Sequence, residues 1–189
     1  MAMSRRLGDH AIVIGASIGG LLAARALADH FDTVTVLERD HFPAADVPRK
    51  GVPQGSHAHG LLARGRDVIE QFFPGWTDEV VQSGGLRGDI AKDVSWIGHG
   101  VSLQESDSDL IGLFATRPVL EGHLRRRLQG LPNVQIVEGC TVQELMSDAS
   151  RSRVNGVRAR IDGEPPQIIA ASLVVDASGQ HRVPAARCA

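Results

Sequence analysis

The chain has 189 residues, of which 42% are hydrophobic and 22% are charged, and its formal net charge at pH 7 is −2. This length is sufficient for one domain with a well-buried core, and the composition is that of an ordinary globular protein. The near-neutral charge gives no basis for non-specific nucleic-acid binding, so we expect no nucleic-acid partner.

The N-terminal segment carries a strand, a helix and a second strand. The β-branched run His10–Ile14 predicts a buried parallel strand, and Gly15 closes it. Apolar residues from Ile18 to His30 recur at helical spacing, and Thr33–Leu37 is a second β-branched run. This order within about 30 residues predicts a βαβ unit in a parallel sheet. Because glycines and Arg25 interrupt the apolar stretch, we predict no membrane span.

The middle of the chain is less regular. A long loop rich in proline and glycine follows Glu38, and such loops are often functional. Helical spacing resumes over His57–Phe73, and a short helical stretch covers Asp78–Gln82. From Leu86 to Leu113 short strand-like pieces alternate with glycine, serine and aspartate, and the sequence predicts no order for them.

The last third is predicted to be mostly strands. Pro118–Leu128 has helical spacing with proline in the first turn. After it come four predicted strands, of which the later ones form an antiparallel meander: Val134–Val137, Thr141–Leu145, Val154–Ile161 and Gln167–Val175. The predicted fold class is therefore α/β, a Rossmann-like parallel sheet with helices and an antiparallel β-meander.

A glycine-rich turn lies between the first strand and the first helix. The segment Gly15-Ala-Ser-Ile-Gly-Gly20 matches the GxGxxG pattern, with Ser17 at the second glycine position. In this pattern the first glycine allows the tight turn, the second position faces a pyrophosphate, and the last allows close helix–strand packing. Glu38 follows Gly20 by 18 residues and is placed to bind ribose hydroxyls. The alternative is a plain glycine turn with a surface glutamate. The predicted dinucleotide-binding residues are Gly15, Ser17, Ile18, Gly19, Gly20 and Glu38.

These motifs resemble the start of a known enzyme family. Ala11–Leu21, followed by Val36–Arg39, resembles the FAD-binding start of class A flavin monooxygenases, the para-hydroxybenzoate hydroxylase-like enzymes. Pro48–Leu62 is similar to a loop of the related polyketide epoxidases. The resemblance implies that Arg39 belongs to the FAD site and that Arg49 lies near the flavin.

Three later segments fit the same family in the same order. Thr116–Glu121 resembles the helix whose arginine, here Arg117, approaches FAD. Gly139–Val142 resembles the strand that touches adenine through Val142. Val174–Gly179 resembles the motif whose aspartate, here Asp176, serves the flavin ribityl chain. The resemblance implies an FAD-binding oxidoreductase. Such an enzyme uses NADH or NADPH as transient reductant and oxygen to hydroxylate or epoxidise a small organic substrate.

The sequence departs from the family pattern near its end. The family's second FAD motif and its substrate-binding sheet have no counterpart, and residues 180–189 do not resemble the usual continuation. We therefore expect residues 1–189 to form a single, partial FAD-binding domain, with a truncation point near residue 180. A second polypeptide would then carry the missing half. Two alternatives remain open: an inactive truncated remnant, and an NAD-binding dehydrogenase or regulatory module.

Other chemistry has little support in the sequence. His57 and His59 are two residues apart and no cysteine or carboxylate completes a set, so we predict no metal site. The two cysteines, Cys140 and Cys188, form no CxxC pair and are expected to be reduced thiols, as in a cytoplasmic protein. No side chain is identified as a catalytic acid or base, since the flavin itself carries the oxidative chemistry in such enzymes.

The 189-residue chain alone is expected to lack coupled monooxygenase activity. In the family, later strands supply half of the cofactor crevice, and a closed site prevents side reactions of the reduced flavin. With added FAD and NAD(P)H, oxygen consumption should appear as hydrogen peroxide, without oxygenated product. Unburied sheet surface should also make the isolated chain prone to association. Stoichiometric FAD binding with coupled product formation would contradict this expectation.

Overall fold

A computed structural model of the chain describes residues 6–43, 47 and 58–179. The chain divides into a first unit, made of Met1–Ala44 and Leu124–Ala189, and a second unit, Ala45–His123. In chain order the elements are β1 (Gly8–Ile14), α1 (Ile18–Ala28), β2 (Phe31–Leu37), β3 (Ala58–Leu61), α2 (Ala63–Phe72), α3 (Trp76–Gln82), β4 (Leu86–Asp89), β5 (Ile97–Gly98), β6 (Val101–Ser102), β7 (Ile111–Thr116), α4 (Arg117–Gln129), β8 (Val134–Val137), β9 (Cys140–Ser147), β10 (Val154–Ile161), β11 (Gln167–Ala170) and β12 (Leu173–Asp176).

The first unit is built on a four-stranded parallel sheet in the order β12-β1-β2-β8. Strand β1 is central, and Ala11 to Ile14 are all buried because neighbours cover both faces of the strand. Ile14 is in register with Leu37 on one side and Asp176 on the other, so the carboxyl ends of three strands meet at one edge. This edge is where ligands bind in open parallel sheets.

Helix α1 completes the predicted βαβ unit by packing on β1 and β2. Its buried residues are Gly20, Leu21 and Ala24; Ala24 follows the first by four residues and the second by three, so the three form one face. The predictions of an α/β fold with a Rossmann-like parallel sheet and an antiparallel meander are confirmed.

The meander is a three-stranded sheet in the order β11-β10-β9. The prediction of one strand over Gln167–Val175 is wrong, since the chain changes sheets at Ala171 and Ser172. The Ala171 N–H donates to Asn155 O in β10, whereas the Ser172 N–H donates to His10 O in β1. The chain after Ser172 therefore runs parallel to β1 as β12. Apolar residues stand on both sides of Ser172, and this pattern alone does not show that the two halves pair with different sheets.

The second unit contains an antiparallel sheet in the order β3-β7-β4, with α2 and α3. The predicted helix over His57–Phe73 is wrong at its start. Residues 58–61 form β3, paired with β7, and the helix begins at Ala63. Leucine doublets such as Leu61 and Leu62 fit either a strand end or a helix start, and the pairing with β7 decides between them.

A buried aspartate fixes the segment between β4 and β7. Asp89 accepts hydrogen bonds from the N–H groups of Ser108 at 2.8 Å, Asp109 at 3.0 Å and Ala91 at 2.9 Å. The hydroxyl of Ser108 also donates to it. These bonds, led by the one from the Ser108 hydroxyl, hold the pKa of the Asp89 carboxyl far below its usual range. Asp89 therefore fixes the end of this segment at neutral pH.

A pair of isoleucine substitutions tests the position of the core. Ile12 in β1 is fully buried and belongs to the cluster between the parallel sheet and the meander, whereas Ile168 in β11 is 59% exposed. Ile12→Ala should lower the free energy of unfolding by about 2–5 kcal/mol through lost burial and a cavity. Ile168→Ala should change it by no more than about 0.5 kcal/mol. Urea unfolding midpoints measure both, and similar losses in the two variants would contradict the assigned core.

Candidate functional site

Two glycines shape the turn between β1 and α1. Gly15 has φ +94°, and a Cβ there would lie 2.8 Å from the carbonyl oxygen of Ala177. Its N–H donates to Leu37 O at 2.8 Å, which ties the turn to β2. A Cβ on Gly20 would lie 1.9 Å from the carbonyl oxygen of Gly15. The close approach of α1 to the end of β1 thus requires glycine at position 20.

The N-terminus of α1 is suited to an anion. Ser17 is the N-cap in an extended conformation, and its carbonyl accepts the first helical hydrogen bond from Leu21 N at 2.9 Å. Gly19 is exposed, and a Cβ there would meet nothing within 4 Å. No acidic side chain lies in the first turn to compete for the positive end of the helix dipole. Ile18, the first helical residue, is half-buried. Such a helix start favours a phosphate group.

Glu38 lies at the end of β2, directly beside this turn. It is only 8% exposed, and its Oε2 atom accepts a hydrogen bond from the Ala16 N–H at 2.7 Å. Its Oε1 atom accepts one from the Asp40 N–H at 3.0 Å. The carboxylate is therefore fixed against the glycine turn by backbone donors. The sequence spacing predicted this proximity, and the structure brings Gly15, Gly20 and Glu38 together within the first unit.

An open cleft of about 120 Å³ lies at the carboxyl edge of the parallel sheet. A single water needs roughly 10–15 Å³ of such space, so the cleft has room for a group much larger than one water. Four predicted site residues line it: Gly15, Glu38, Arg39 and Val142. The sequence analysis did not assign the other lining residues, which are Ile14, Leu37, Cys140, Thr141 and Ser178.

The missed residues Cys140 and Thr141 stand immediately before the predicted residue Val142 at the start of β9. Alternation along a strand places Cys140 on the same side as Val142, which was a usable signal. Cys140 is 1% exposed. Burial, and secondarily the Asp162 carboxylate, raises the pKa of its thiol. The thiol is therefore neutral at pH 7 and contributes an apolar wall rather than a nucleophile.

The remaining predicted residues lie in different places. Asp176 ends β12 in register with Ile14, and its Oδ1 atom accepts a hydrogen bond at 3.0 Å from the N–H of Ser178, which lines the cleft. Arg117 belongs to the second unit, where its Nε donates to Glu121 Oε1 at 2.9 Å. Arg49 lies outside the described residues. The roles of Arg49, Arg117 and Asp176 toward a flavin stay predictions.

A serine, a histidine and a glutamate also converge in the second unit. Ser83 Oγ lies 2.9 Å from His123 Nε2, and His123 Nδ1 lies 3.7 Å from Glu79 Oε2. The N–H groups of Ser83, Gly84 and Gly85 all donate to carbonyls of α3, so they cannot stabilise an oxyanion. The 3.7 Å between His123 Nδ1 and Glu79 Oε2 is also too long for a hydrogen bond. The Ser83–His123 hydrogen bond links the end of α3 to α4, and the cluster does not form an acyl-transfer site.

The described residues contain neither a metal-binding cluster nor a helix that could span a membrane. Within residues 6–43, 47 and 58–179, no three histidine, cysteine or carboxylate side chains are grouped to hold a metal ion. None of the helices in the same ranges has both the length and the apolar character needed to cross a bilayer.

A curated relative and several solved structures are similar to this chain. The Mycobacterium tuberculosis (strain ATCC 25618 / H37Rv) protein Rv3254 is 41% identical over 190 residues, covering 94% of this chain and 40% of the relative. The chain thus spans about two-fifths of the length of the curated relative that it matches. No family model matches the chain.

The solved structures establish the fold. The myxobacterial chondrochloren halogenase CndH, a variant of FAD-dependent halogenases, superposes with a TM-score of 0.69 at 23% identity over 94% of this chain and 38% of its own. The probable FAD-dependent monooxygenase pqsL from Pseudomonas aeruginosa gives a TM-score of 0.64 at 18% identity over 88% of this chain and 41% of its own. The chain therefore has the fold of about two-fifths of these flavoproteins.

Adjacent glycines give a matched test of the turn. Gly20→Ala should destabilise the protein by about 1–3 kcal/mol, since its methyl group would overlap the Gly15 carbonyl and force α1 away from β1. Gly19→Ala places the same methyl group one residue away in open space and should stabilise the helix by up to about 1 kcal/mol. Chemical denaturation measures both values, and a tolerated Gly20→Ala would contradict the close approach.

Proposed function

We propose that the first unit binds FAD through its ADP half, as part of an NAD(P)H-dependent flavin oxidoreductase. The main observation behind this proposal is the position of Glu38. Its carboxylate accepts a hydrogen bond from the Ala16 N–H at 2.7 Å and lines a cleft beside the N-terminus of α1. A carboxylate at this edge of the sheet suits ribose hydroxyls, because an ionised carboxylate is a strong hydrogen-bond acceptor.

The walls of the cleft suit the adenine ring. Ile14, Leu37, Cys140 and Val142 supply apolar surface, and burying a flat aromatic ring against such surface is favourable. Arg39 lines the same cleft with a side chain that is 51% exposed. Its guanidinium plane can stack on an aromatic ring without losing its hydration, so we assign it to the adenine.

The pyrophosphate would lie at the start of α1. A phosphate there gains the helix dipole and meets no side chain over Gly19. Ser17 would offer a hydroxyl donor where the pattern usually has glycine. The backbone and the helix, rather than a charged side chain, would therefore hold the phosphates.

Glu38 also discriminates among dinucleotides. A 2′-phosphate on the adenosine ribose would place a second negative charge beside its carboxylate, which disfavours NADPH at this site. FAD is preferred over NAD because the fold matches parts of FAD-dependent enzymes, and because Asp176 falls in a segment resembling the ribityl-binding motif. Bound flavin would supply the redox chemistry, and these residues would bind and orient it.

For the longer protein we propose hydroxylation or epoxidation of a small organic substrate, with NADH or NADPH as reductant. A cytoplasmic location fits this proposal, because the reductant and reduced thiols such as Cys140 are both found there. An inactive remnant and an NAD-binding module are the competing functions, and a cofactor titration separates all three.

The titration compares two substitutions of Glu38. Glu38→Ala should weaken FAD binding by about 1–3 kcal/mol, roughly 5- to 150-fold in Kd, because ribose hydroxyls lose their acceptor. Glu38→Gln keeps one acceptor oxygen and should fall between Glu38→Ala and the parent. Glu164→Ala, at an exposed acidic position, is the control and should bind FAD like the parent. Flavin fluorescence quenching measures the Kd values.

Because Glu38 also accepts backbone hydrogen bonds, each variant must be compared at a temperature where urea unfolding shows it to be folded. Unchanged FAD affinity in folded Glu38→Ala would contradict the assigned site. Binding of NAD without FAD would favour the NAD-binding module. A folded parent that binds neither would identify the inactive remnant.

A further inference from the structure

A short hairpin in the second unit has a defined geometry. Strands β5 and β6 are joined by His99 and Gly100, whose φ angles of 50° and 80° are those of a type I′ turn. Gly98 pairs with Val101, and the Leu103 N–H continues the ladder by donating to the Trp96 carbonyl at 2.9 Å.

The hairpin presents three large apolar side chains on one face. Because side chains alternate along a strand, Trp96 and Gly98 lie on the same face of the hairpin. Leu103 is opposite Trp96 and Val101 is opposite Gly98, so these two residues lie on that face as well. We call Trp96, Val101 and Leu103 the apolar hairpin face; they are 46%, 65% and 65% exposed. A Cβ at Gly98 would meet nothing within 4 Å, so the centre of this face is open. Ile97 is 74% exposed but lies on the opposite face.

Exposed apolar side chains are concentrated around this hairpin. Among the described residues, five of the twelve large hydrophobic side chains that are exposed fall between Trp96 and Leu110. Isolated exposed apolar residues need no explanation, but a cluster of them marks a surface for another polypeptide.

This surface is held in shape before any partner binds. The indole Nε1 of Trp96 donates to Ile90 O at 2.7 Å, and the Ser106 N–H donates to Ala91 O at 3.3 Å. Asp89 fixes the end of the same segment through Ser108 and Asp109. A pre-formed surface binds with little loss of conformational entropy, which favours a docking function over that of a loose loop.

The segment that follows the hairpin in sequence is acidic. Glu105, Asp107 and Asp109 lie in the same exposed segment, and Lys92 pairs with Asp107 at 2.6 Å. An apolar centre with a charged rim is the usual organisation of a protein–protein interface. The complementary surface would be apolar with basic residues at its edge.

The size of the relatives indicates the occupant. The matched region is 40% of the mycobacterial relative and 38% of the halogenase chain, so about three-fifths of each lies outside it. We propose that the apolar hairpin face docks the polypeptide corresponding to this remaining three-fifths. This goes beyond cofactor binding and does not depend on it.

Co-expression tests the proposal. The 189-residue chain, carrying an affinity tag, is produced in the same cells as the segment of the mycobacterial relative that lies outside the match. Production together allows the segment to fold against its partner. The expected result is co-purification at a 1:1 ratio. Val101→Asp and Leu103→Asp should each reduce the co-purified segment by about tenfold or more, because each buries a charge in the interface.

Two matched controls keep the test specific. Leu7, in the first unit, is 66% exposed and lies outside any strand. Like the Leu103 N–H, its N–H donates a hydrogen bond to a backbone carbonyl. Leu7→Asp therefore makes the same change as Leu103→Asp in a comparable setting. Ile97→Asp introduces the same charge on the opposite face of the hairpin. Both should retain the segment within twofold of the parent.

Three results would overturn the proposal. The first is no co-purification with the parent chain. The second is equal loss in Leu7→Asp or Ile97→Asp. The third is a homodimer of the tagged chain alone that Leu103→Asp converts to monomer, since a second copy would then occupy the face. Because none of these readouts uses FAD, a failure of the cofactor proposal leaves their interpretation unchanged.

Discussion

The close approach of α1 to the carboxyl end of β1 is the constraint on which the first unit depends. The backbone of Gly20 lies so near the Gly15 carbonyl that no side chain fits between them, and the backbone of Ala177 crowds Gly15 from the other side. This packing brings the N-terminus of α1, the end of β2 and the end of β12 to one edge of the sheet. The cleft beside this edge is lined by the ends of β1 and β2, the start of β9 and the turn after β12.

Glu38 joins the stability of this edge to its chemistry. Removing a carboxylate from water is unfavourable unless hydrogen bonds replace the lost hydration, and the N–H groups of Ala16 and Asp40 provide them. The same bonds fix the carboxylate in place before a ligand arrives. A ribose would therefore meet an acceptor that loses no rotamer freedom on binding. Substitutions of Glu38 consequently act on folding and on ligand affinity together.

The two units differ in how far their large apolar side chains are buried. In the first unit, apolar residues of the parallel sheet and the meander pack together around Ile12 and Val157. In the second unit, the segment around the hairpin turns large apolar side chains toward solvent while a buried aspartate holds its backbone. Order maintained by hydrogen bonds, without burial of its apolar side chains, is the property expected of a surface that another polypeptide covers.

The sequence by itself determined the βαβ unit, the glycine turn and the position of Glu38. These depend on local rules: alternating or helical apolar spacing, the backbone freedom of Gly15, and a fixed chain length between the turn and the end of β2. Val142 was assigned from the family resemblance alone, and it lines the cleft. These features were readable because each involves residues whose separation in the chain is set by one strand or one helix.

Only the tertiary structure decided where strands exchange partners. The switch from the meander to the parallel sheet depends on two backbone hydrogen bonds. Ala171 donates to Asn155, 16 residues earlier, and Ser172 donates to His10, 162 residues earlier. Likewise, the start of α2 at Ala63 depends on the pairing of residues 58–61 with β7. Cys140 and Ser178 line the cleft because β9 and the turn after β12 converge on the end of β1. Hydrogen bonding between distant strands is non-local, and apolar runs that fit several pairings do not specify which one forms.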